Sequence, residues 1–342
     1  MARQRPYRAA LIGAGAIAQA CHAPGYARRS DVELVAFADP VLARHEEMAA
    51  AYPDVQAYSD YHAMLTDVKP EVVSICTPNV HHCRATLRAL EAKAHVLCEK
   101  PIAMTLREAE QMIDAAAAVR RKLMVGFTHR LFAGPMRAKA LLEGGAIGRP
   151  FMIRVRFAHG GPYPGWAKDD WFYKPVQAGG GALFDMGIHA IDLCHWLVGP
   201  ISTVQARCAT LAKDIAVEDN AVLLLEFTGG EALGYIECGW TSRPGFSGFE
   251  LYGSEGTIIC DYREGLARLR GEDRPDGTED AQWEVVEPDP TAGGWDTEID
   301  YWIDVVAGRT QNTLDGLAGR EALAVALAAY TSDRTGRRTQ VR

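Results

Sequence analysis

The sequence lacks long hydrophobic runs and an excess of positive charge. No stretch approaches the roughly 18 uninterrupted apolar residues that a membrane-spanning helix needs. Lysine and arginine together number 36 and aspartate and glutamate 44, for a net charge of −8. Nucleic acids and anionic membranes select basic surfaces, so this balance disfavours both as the main partner.

Cysteine pairs at metal or redox spacing are also absent. The eight cysteines form no C-x-x-C pair and are spread through apolar segments, unlike the dense framework of a small secreted domain. We therefore predict buried thiols in a reducing cytoplasm. His81, His82 and Cys83 are adjacent, but no second cluster at ligand spacing follows them, so we predict no metal site.

The N-terminus has a pattern with two interpretations. Residues 1–8 are basic, residues 9–18 are apolar, and the small residues at 18–20 resemble a signal-peptidase site. The same residues also fit a buried strand, a glycine turn and a helix. Cleavage would remove the strongest motif of the chain, so we predict an uncleaved, cytoplasmic protein.

The arrangement of apolar runs predicts two domains in the 342 residues. Up to residue 127, apolar strands alternate with helix-length connections, which is typical of a parallel sheet. From residue 128, strands follow one another with short turns, which is typical of an antiparallel sheet. The predicted fold class is α/β, with an N-terminal Rossmann doubly wound parallel sheet (1–127) and a C-terminal α+β domain with an open, mainly antiparallel sheet (128–342). Its last helix is able to pack back on the first domain. A further prediction is an exposed turn at 272–277.

The strongest motif is a glycine turn. Gly13, Gly15 and Ala18 fit G-x-G-x-x-A directly after a predicted strand and at the start of a helix. The first glycine permits the tight turn, the second lets a pyrophosphate approach, and the helix N-terminus supplies N–H donors. Asp39 lies 21 residues after Ala18, where a carboxylate accepts hydrogen bonds from ribose hydroxyls. The spacing predicts a bound dinucleotide, with a ligand-free glycine turn as the alternative.

The choice between NAD and NADP depends on the same acidic residue. A carboxylate at Asp39 repels a 2′-phosphate, and the next residue is Pro40, not an arginine. Arg44 lies five positions further on and could swing toward a phosphate. We predict NAD, with NADP as the less favoured cofactor.

Two elements carry candidate chemistry. Lys100 follows another predicted parallel strand, where doubly wound sheets place ligands, although a surface lysine before a turn proline is the ordinary alternative. Three glycines at 179–181 let the backbone approach a flat or bulky group. Asp185 and His189 follow them at i, i+4 spacing, on one face of a helix. An imidazole suits removal of a hydroxyl proton, but a histidine on an apolar helix is more often a core residue.

These motifs occur together in one order. The G-x-G-x-x-A start, Thr77-Pro78-Asn79, Glu99-Lys100-Pro101 and the glycine-rich segment with Asp185 and His189 resemble the Gfo/Idh/MocA oxidoreductases. This is the superfamily of glucose–fructose oxidoreductase and inositol dehydrogenase. The resemblance runs nearly end to end, through 253–257 to a closing helix at 319–323.

The resemblance implies roles for individual residues. His189 would accept the proton in oxidation, Lys100 would be its electrostatic partner, and Asp185 would orient the substrate. It also implies a cis peptide before Pro101 and a second domain used for substrate binding and for homodimer or homotetramer contacts. The cofactor-binding residues predicted from the motif and the resemblance are Gly13, Gly15, Ala16, Ile17, Asp39, Thr77, Pro78, Asn79, His82, Glu99 and Lys100.

An aromatic and polar segment at 159–173 is the candidate substrate region. Its rings could stack on a sugar while Lys168, Asp169 and Asp170 read hydroxyls; equally, the aromatics could pin a long loop to the core or to a partner subunit. Trp240, at a strand end, is a weaker candidate. Arginine and lysine are scattered, which favours a neutral sugar, glycoside or cyclitol. The predicted substrate-binding residues are His129, Arg130, His159, Trp166, Trp171, Asp185 and His189.

Four functions compete at this stage. The favoured one is an NAD-dependent dehydrogenase that oxidises a secondary hydroxyl of a sugar, glycoside or inositol-like cyclitol. The alternatives are an NADPH-dependent reductase of a keto-sugar or related carbonyl, and a glycosidase that retains NAD and oxidises C3 transiently. The last alternative is a non-catalytic NAD-binding regulator. The presence of Lys100, Asp185 and His189 together argues against it, because a regulator without chemistry has no need of all three.

Overall fold

The computed structural model describes residues 5–263, 265–270, 282–287 and 293–342. The chain forms two compact units, and each unit draws on separate parts of the sequence. The predicted division at residue 127 stays a prediction, and the predicted turn at 272–277 lies outside the described residues. The first unit comprises Met1–Phe127, Pro162–Gly179 and Trp295–Leu323, and the second comprises Thr128–Gly161, Gly180–Gly294 and Ala324–Arg342.

The first unit contains a six-stranded sheet in which every neighbouring pair is parallel. Its strands are β1 (Tyr7–Ile12), β2 (Val32–Ala38), β3 (Gln56–Tyr58), β4 (Val72–Ile75), β5 (His95–Cys98) and β6 (Leu123–Val125). The strand order is β3-β2-β1-β4-β5-β6. The inner strands are apolar and buried because helices cover both faces of a parallel sheet of this kind. The predicted doubly wound sheet is confirmed.

Up to residue 127 the helices follow the predicted alternation, with one strand, β3, and one helix that were not predicted. Strand β3 has three residues that are exposed or half-exposed, so it carries no apolar run to mark it. The unpredicted helix, 61–68, has a clear start signal, because the Asp60 carboxylate accepts a hydrogen bond from the His62 N–H at 3.0 Å.

Within the described residues, no helix is long and apolar enough to cross a membrane. The helices are α1 (Ala23–Ala27), α2 (Leu42–Ala51), α3 (Tyr61–Val68), α4 (His82–Glu91), α5 (Leu106–Val119), α6 (Ala133–Glu143), α7 (Pro175–Ala178), α8 (Ile188–Leu197), α9 (Trp295–Val306) and α10 (Gly316–Thr335).

The second unit contains a nine-stranded sheet. Its strands are β7 (Pro150–Ala158), β8 (Ile201–Ala209), β9 (Asn220–Phe227), β10 (Leu233–Gly239), β11 (Phe246–Gly253), β12 (Gly256–Asp261), β13 (Gly265–Arg270), β14 (Gln282–Val286) and β15 (Thr339–Gln340). The order is β14-β13-β12-β11-β7-β10-β9-β8-β15, and only β7 and β10 pair in parallel among these strands. The predicted open, mainly antiparallel sheet is confirmed.

The two faces of this sheet differ in cover. Helix α8 packs against β7 and β10, and α6 packs against β12. Strand β9 shows the resulting alternation, since Leu223 and Leu225 are buried while Val222 and Leu224 are exposed on the other face. A sheet with one helix-covered face shows this period of two.

The core of the first unit encloses a polar group around His22. The ring of His22 is completely buried, its Nε2 lies 3.0 Å from Glu99 Oε1, and its Nδ1 lies 3.0 Å from Ser74 Oγ. The Tyr26 hydroxyl lies 2.7 Å from the same serine oxygen. The Glu298 carboxylate is also buried, with its oxygen within 4.8 Å of the ligand atoms of His22 and Glu99. In the imidazolium form, both ring nitrogens of His22 donate hydrogen bonds.

His22 and Glu99 form an ion pair whose strength depends on pH. Burial opposes a charge on His22, but Cys76 and the Glu99 carboxylate raise the pKa of its imidazole well above the usual 6.5. Burial also opposes a charge on Glu99, but the hydrogen bond from His22 lowers the pKa of that carboxyl below its usual 4.5. Stabilisation by the pair is therefore fully present between pH 4.5 and 6.5. It is lost as pH falls through the lowered pKa of Glu99 or rises through the raised pKa of His22.

We expect His22→Gln to lower the free energy of unfolding by about 3–5 kcal/mol at about pH 6, because it leaves a buried carboxylate without its cation. The difference from the wild type should narrow as pH rises, since the wild type alone loses the stabilisation. Urea unfolding at several pH values measures this difference. The exposed His81→Gln is the matched control and should follow the wild type. A constant difference across the pH range would contradict the assignment of an ion pair.

Candidate functional site

The glycine turn after β1 has the geometry that the motif predicts. Gly13 has a φ of +94°, and a Cβ at this position would lie 2.6 Å from the Cys76 carbonyl oxygen, so only glycine fits. A Cβ at Gly15 would meet nothing within 4 Å among the described residues. The helical backbone begins at Ala16 and passes through a π-helical turn, Ala18–His22, into α1. The turn thus has open space beside its second glycine and a helix start behind it.

Asp39 lies at the end of β2, as predicted, and it is buried. Its Oδ2 accepts hydrogen bonds from the Ala14 N–H at 2.8 Å and from Arg44 Nη1 at 2.9 Å. Its Oδ1 accepts from the Val41 N–H at 2.9 Å. The carboxylate is therefore joined directly to the glycine turn. The Arg44 side chain is held in place, because its Nη2 also donates a hydrogen bond to Asp169 Oδ2 at 2.5 Å.

These features fit a dinucleotide. The open space at Gly15 suits a pyrophosphate, which would receive hydrogen bonds from the N–H groups at the start of the helix. The buried carboxylate of Asp39 stands where an adenosine ribose is bound in sheets of this kind. The residues present are thus the donor and acceptor set that such a cofactor needs.

The residues after β4 hold the surrounding loops in place. The Asn79 side chain is buried and its Nδ2 donates to the Ala178 carbonyl at 2.8 Å. His82 is buried, with Nδ1 2.7 Å from the Pro101 carbonyl oxygen and Nε2 2.9 Å from that of Thr77. Both ring nitrogens of His82 are engaged by backbone, so the predicted contact of this ring with a cofactor is not supported. His82 instead connects the segment after β4 to the segment after β5.

Glu99, Lys100 and Pro101 follow β5, and the peptide bond between Lys100 and Pro101 is cis, as the resemblance implied. The Glu99 carboxylate accepts from the Lys100 backbone N–H at 3.2 Å and from His22 through its other oxygen. A Cβ at Gly126 would lie 3.2 Å from this carboxylate, so the glycine makes room for it. His22 therefore holds Glu99, and Glu99 holds the backbone of Lys100. The Lys100 residue itself is half-exposed, while Glu99 is buried.

In the second unit, the glycine-rich segment packs against protein. A Cβ at Gly180 would overlap the Tyr330 hydroxyl, and one at Gly181 would overlap the Glu218 carbonyl oxygen. The Glu218 side chain accepts from the N–H groups of Gly181 and Leu183 at 2.9 and 3.1 Å and from the Tyr330 hydroxyl at 2.7 Å. Burial raises the pKa of Glu218. The glycines were predicted to let the backbone approach a flat or bulky group, and the groups that approach Gly180 and Gly181 are Tyr330 and Glu218.

Asp185 and His189 lie on consecutive helical turns and are both buried. Asp185 Oδ2 accepts a hydrogen bond from the Trp240 indole N–H at 3.0 Å. His159 Nε2 lies 3.6 Å from the same oxygen. Because His159 Nδ1 accepts from the Gly161 N–H at 2.8 Å, the proton of the neutral ring resides on Nε2 and faces Asp185. Asp185 is thus oriented by Trp240 and faced by a donor from His159.

His129 and Arg130, both predicted to contact substrate, contact protein groups instead. The centroid of the His129 ring lies 4.2 Å from that of His189, and its Nδ1 lies 3.2 Å from the Tyr262 hydroxyl. Arg130 makes a bidentate, buried ion pair with Asp192, at 2.7 and 2.5 Å. The guanidinium of Arg130 is thus paired with Asp192, and the His129 ring packs against that of His189. The substrate contacts predicted for both residues stay predictions.

The aromatic segment divides between the two units. Residues Pro162–Gly179 belong to the first unit, whereas His159 belongs to the second. Trp166 is exposed, and Trp171 stacks on Phe172 with ring centroids 3.8 Å apart. Each charged residue of this segment has a protein partner, and the prediction that these residues read substrate hydroxyls stays a prediction. The pairs are Lys168 with Glu47 at 2.5 Å, Asp169 with Arg44 at 2.5 Å, and Asp170 with Lys174 at 2.6 Å.

Three residues that organise the site were not predicted. They are His22, Asp192 and Glu218. His22 and Asp192 each interrupt an apolar helical segment, and a polar residue in such a segment signals a buried partner. Glu218 precedes β9 in a polar turn and carries no such signal.

Comparison with known proteins places these features in a family. A profile described as "Oxidoreductase family, NAD-binding Rossmann fold" matches residues 7–127, and one described as "GFO/IDH/MocA C-terminal domain" matches residues 136–259. The chain is 39% identical over 194 residues to the D-glucoside 3-dehydrogenase of Escherichia coli (strain K12), covering 57% of this chain and 54% of that protein. It is 30% identical over 260 residues to the levoglucosan dehydrogenase of Pseudarthrobacter phenanthrenivorans, covering 67% of this chain and 65% of that protein. The chain thus matches about half to two thirds of the length of these relatives.

A solved structure extends the likeness over the whole chain. The WlbA dehydrogenase from Bordetella pertussis, in complex with NADH and UDP-GlcNAcA, superposes with a TM-score of 0.83 and 27% identity over 99% of both chains. The two profiles, the relatives and this structure agree with the motifs described above. The chain belongs to the Gfo/Idh/MocA oxidoreductase family.

Proposed function

We propose that the protein is an NAD-dependent dehydrogenase that oxidises a secondary hydroxyl of a sugar, glycoside or cyclitol. The observation that carries this proposal is the burial of Asp185 and His189 on consecutive helical turns, with Asp185 oriented by Trp240. An acid and an imidazole in a protected environment suit recognition of one hydroxyl and deprotonation of another. The names of the two relatives, D-glucoside 3-dehydrogenase and levoglucosan dehydrogenase, support this substrate class.

The cofactor we propose is NAD, held by the turn at Gly13 and Gly15 and by Asp39. When bound, NAD accepts the hydride from the carbon that bears the hydroxyl. His189 takes the hydroxyl proton on Nε2, since its Nδ1 is fully buried. Lys100 is the proposed electrostatic partner in this step, since an ammonium stabilises the negative charge that develops in the reaction. The proposal also keeps four further predicted cofactor contacts, which are Ala16, Ile17, Thr77 and Pro78.

Asp185 acts on a neighbouring hydroxyl. As a carboxylate oriented by the Trp240 N–H, it is a suitable acceptor for a sugar hydroxyl. His159, whose Nε2 faces the same carboxylate, stays in the proposed substrate set. Among glycosides, we place a neutral glucoside oxidised at C3 first, because the D-glucoside 3-dehydrogenase is 39% identical over the matched region.

We also propose a homodimer or homotetramer. The exposed face of the second sheet carries Val222, Leu224 and Leu233, which are 40%, 56% and 54% exposed. Apolar side chains grouped on one sheet face favour cover by another subunit.

The first expected result is NAD reduction by one class of substrate. Purified protein with NAD or NADP and a panel of inositols, aldoses, glucosides and nucleotide sugars should show a rise in absorbance near 340 nm with NAD and a glucoside or cyclitol. A rise with NADP alone would favour the reductase. Release of aglycone without accumulation of NADH would favour the NAD-retaining glycosidase. NADH binding without any turnover would favour the regulator.

Lys100→Met and His189→Asn should each lower kcat by about 10²–10⁴-fold, because each removes a group that handles the proton or the charge in the transition state. NADH binding, measured by fluorescence, should change little. The exposed Lys122→Met is the matched control for loss of a lysine. An unchanged kcat in either variant removes that residue from the mechanism.

Trp240→Phe should lower kcat/KM by about tenfold or more, since a hydrogen bond to a charged group contributes about 1.5–3 kcal/mol. Phe keeps an aromatic ring but leaves a cavity in place of the rest of the buried indole, so the melting temperature should also fall, and kcat/KM is compared at a temperature at which both proteins are folded. Trp295→Phe, at a half-exposed tryptophan, serves as the control for an indole lost elsewhere. Equal kcat/KM in Trp240→Phe and the wild type would show that the indole N–H does not orient Asp185 for the reaction.

A further inference from the structure

Arg44 lies between two carboxylates of the first unit. Its Nη1 donates to Asp39 Oδ2 at 2.9 Å and its Nη2 donates to Asp169 Oδ2 at 2.5 Å. The Arg44 side chain is 18% exposed, that of Asp39 is 1% exposed and that of Asp169 is 40% exposed. The two ends of the guanidinium fork are thus held by acids that are 130 residues apart in the sequence.

The position of this guanidinium bears on cofactor choice. This step rests on the proposed function, in which Asp39 binds the ribose of a dinucleotide. A guanidinium bonded to the Asp39 carboxylate is within reach of a group carried on that ribose. Arginine binds phosphate in a bidentate manner, so a free Arg44 would be a good partner for the 2′-phosphate that distinguishes NADP from NAD.

The charges around Arg44 oppose that binding. One cation between two carboxylates leaves a net charge of −1 on the group formed by Asp39, Arg44 and Asp169. A phosphate monoester adds about −1.5 to −2 at neutral pH, so it would have to displace Asp169 from Arg44 or remain close to two acids. The 2′-hydroxyl of NAD meets no such opposition, since it is neutral and can donate to Asp39.

We propose that Asp169 is a specificity-determining residue. By engaging Nη2 of Arg44 it withholds the guanidinium from a 2′-phosphate and makes the site select NAD over NADP. Asp39 alone repels the phosphate, as the sequence indicates, but Asp39 is also the acid that places Arg44 beside the ribose. Asp169 decides whether that arginine is available.

The loop that carries Asp169 is anchored on both sides of this residue. Lys168 Nζ donates to Glu47 at 2.5 Å and to the Gln19 side chain at 2.8 Å. On the other side, Asp169 Oδ1 accepts from the Trp171 N–H at 3.4 Å, at the start of a short helical turn. Asp169 is therefore presented to Arg44 by a segment that is already attached to the glycine-turn helix and to α2.

The test compares Asp169→Asn with the wild type and with Asp170→Asn as the matched control. Asn removes the charge and keeps one side-chain oxygen, so it can accept a hydrogen bond from Arg44 or from the Trp171 N–H but not from both. Asp170 is the adjacent acid, and its partner is Lys174 at 2.6 Å. Dissociation constants for NADH and NADPH are measured by nicotinamide fluorescence at low and moderate salt, without any substrate.

We expect Asp169→Asn to tighten NADPH binding by about tenfold, with the larger effect at low salt, and to change NADH binding by less than about threefold. Asp170→Asn should match the wild type for both cofactors. In the double variant Arg44→Gln/Asp169→Asn the gain in NADPH affinity should disappear, because the arginine that receives the phosphate is gone.

Four outcomes would overturn the proposal. An unchanged ratio of NADPH to NADH affinity in Asp169→Asn would show that Arg44 is not withheld by Asp169. Equal weakening of both cofactors would show that the pair only fastens the loop. A gain that persists without Arg44 would assign it to another cation. Failure of the wild type to bind either cofactor would overturn this proposal and the proposed function together, whereas an unchanged ratio overturns this one alone.

Discussion

The buried ion pair between His22 and Glu99 is the interaction on which the first unit's functional geometry depends. His22 lies in the helical turn that follows the glycine turn, and Glu99 immediately precedes Lys100 at the end of β5. The His22 side chain is completely buried and that of Glu99 is 10% exposed, so separating them leaves a largely buried charge without a partner, which costs far more than separating an exposed pair would. The start of the helix after the glycine turn and the backbone of Lys100 are therefore held in one arrangement.

In the second unit, three acids are likewise each held by a hydrogen-bond donor. Trp240 donates to Asp185, Arg130 donates to Asp192, and Tyr330 donates to Glu218. Each carboxylate is largely removed from water, so its donor is obligatory and the acid has one orientation. Asp185 lies four residues before His189, and Asp192 lies on the same helix as His189. Glu218 accepts hydrogen bonds from the backbone that leads into that helix. The functional face of α8 is thus defined by contacts that come from distant parts of the chain.

The same principle explains which features the sequence could predict. Five of the six strands of the first sheet, the glycine turn, Asp39 at a strand end and the mainly antiparallel second sheet were predicted, because each has a local pattern: an apolar run, a glycine turn motif or a fixed spacing. Arg130 and Asp169 were given to a substrate, although the structure pairs them with Asp192 and Arg44. A charged side chain has many possible partners, and its own sequence neighbourhood does not say which one the fold brings near.

The sequence by itself determined the family, the two kinds of sheet and the residue types that the chemistry needs. These follow from local physics, since strand burial, tight turns and helix starts are decided by a few consecutive residues. Only the tertiary structure decided which polar groups meet. It paired His22 with Glu99, Trp240 with Asp185, and Arg44 with both Asp39 and Asp169. Such pairings join residues far apart along the chain, and folding brings them together because a buried charge is stable only with its partner.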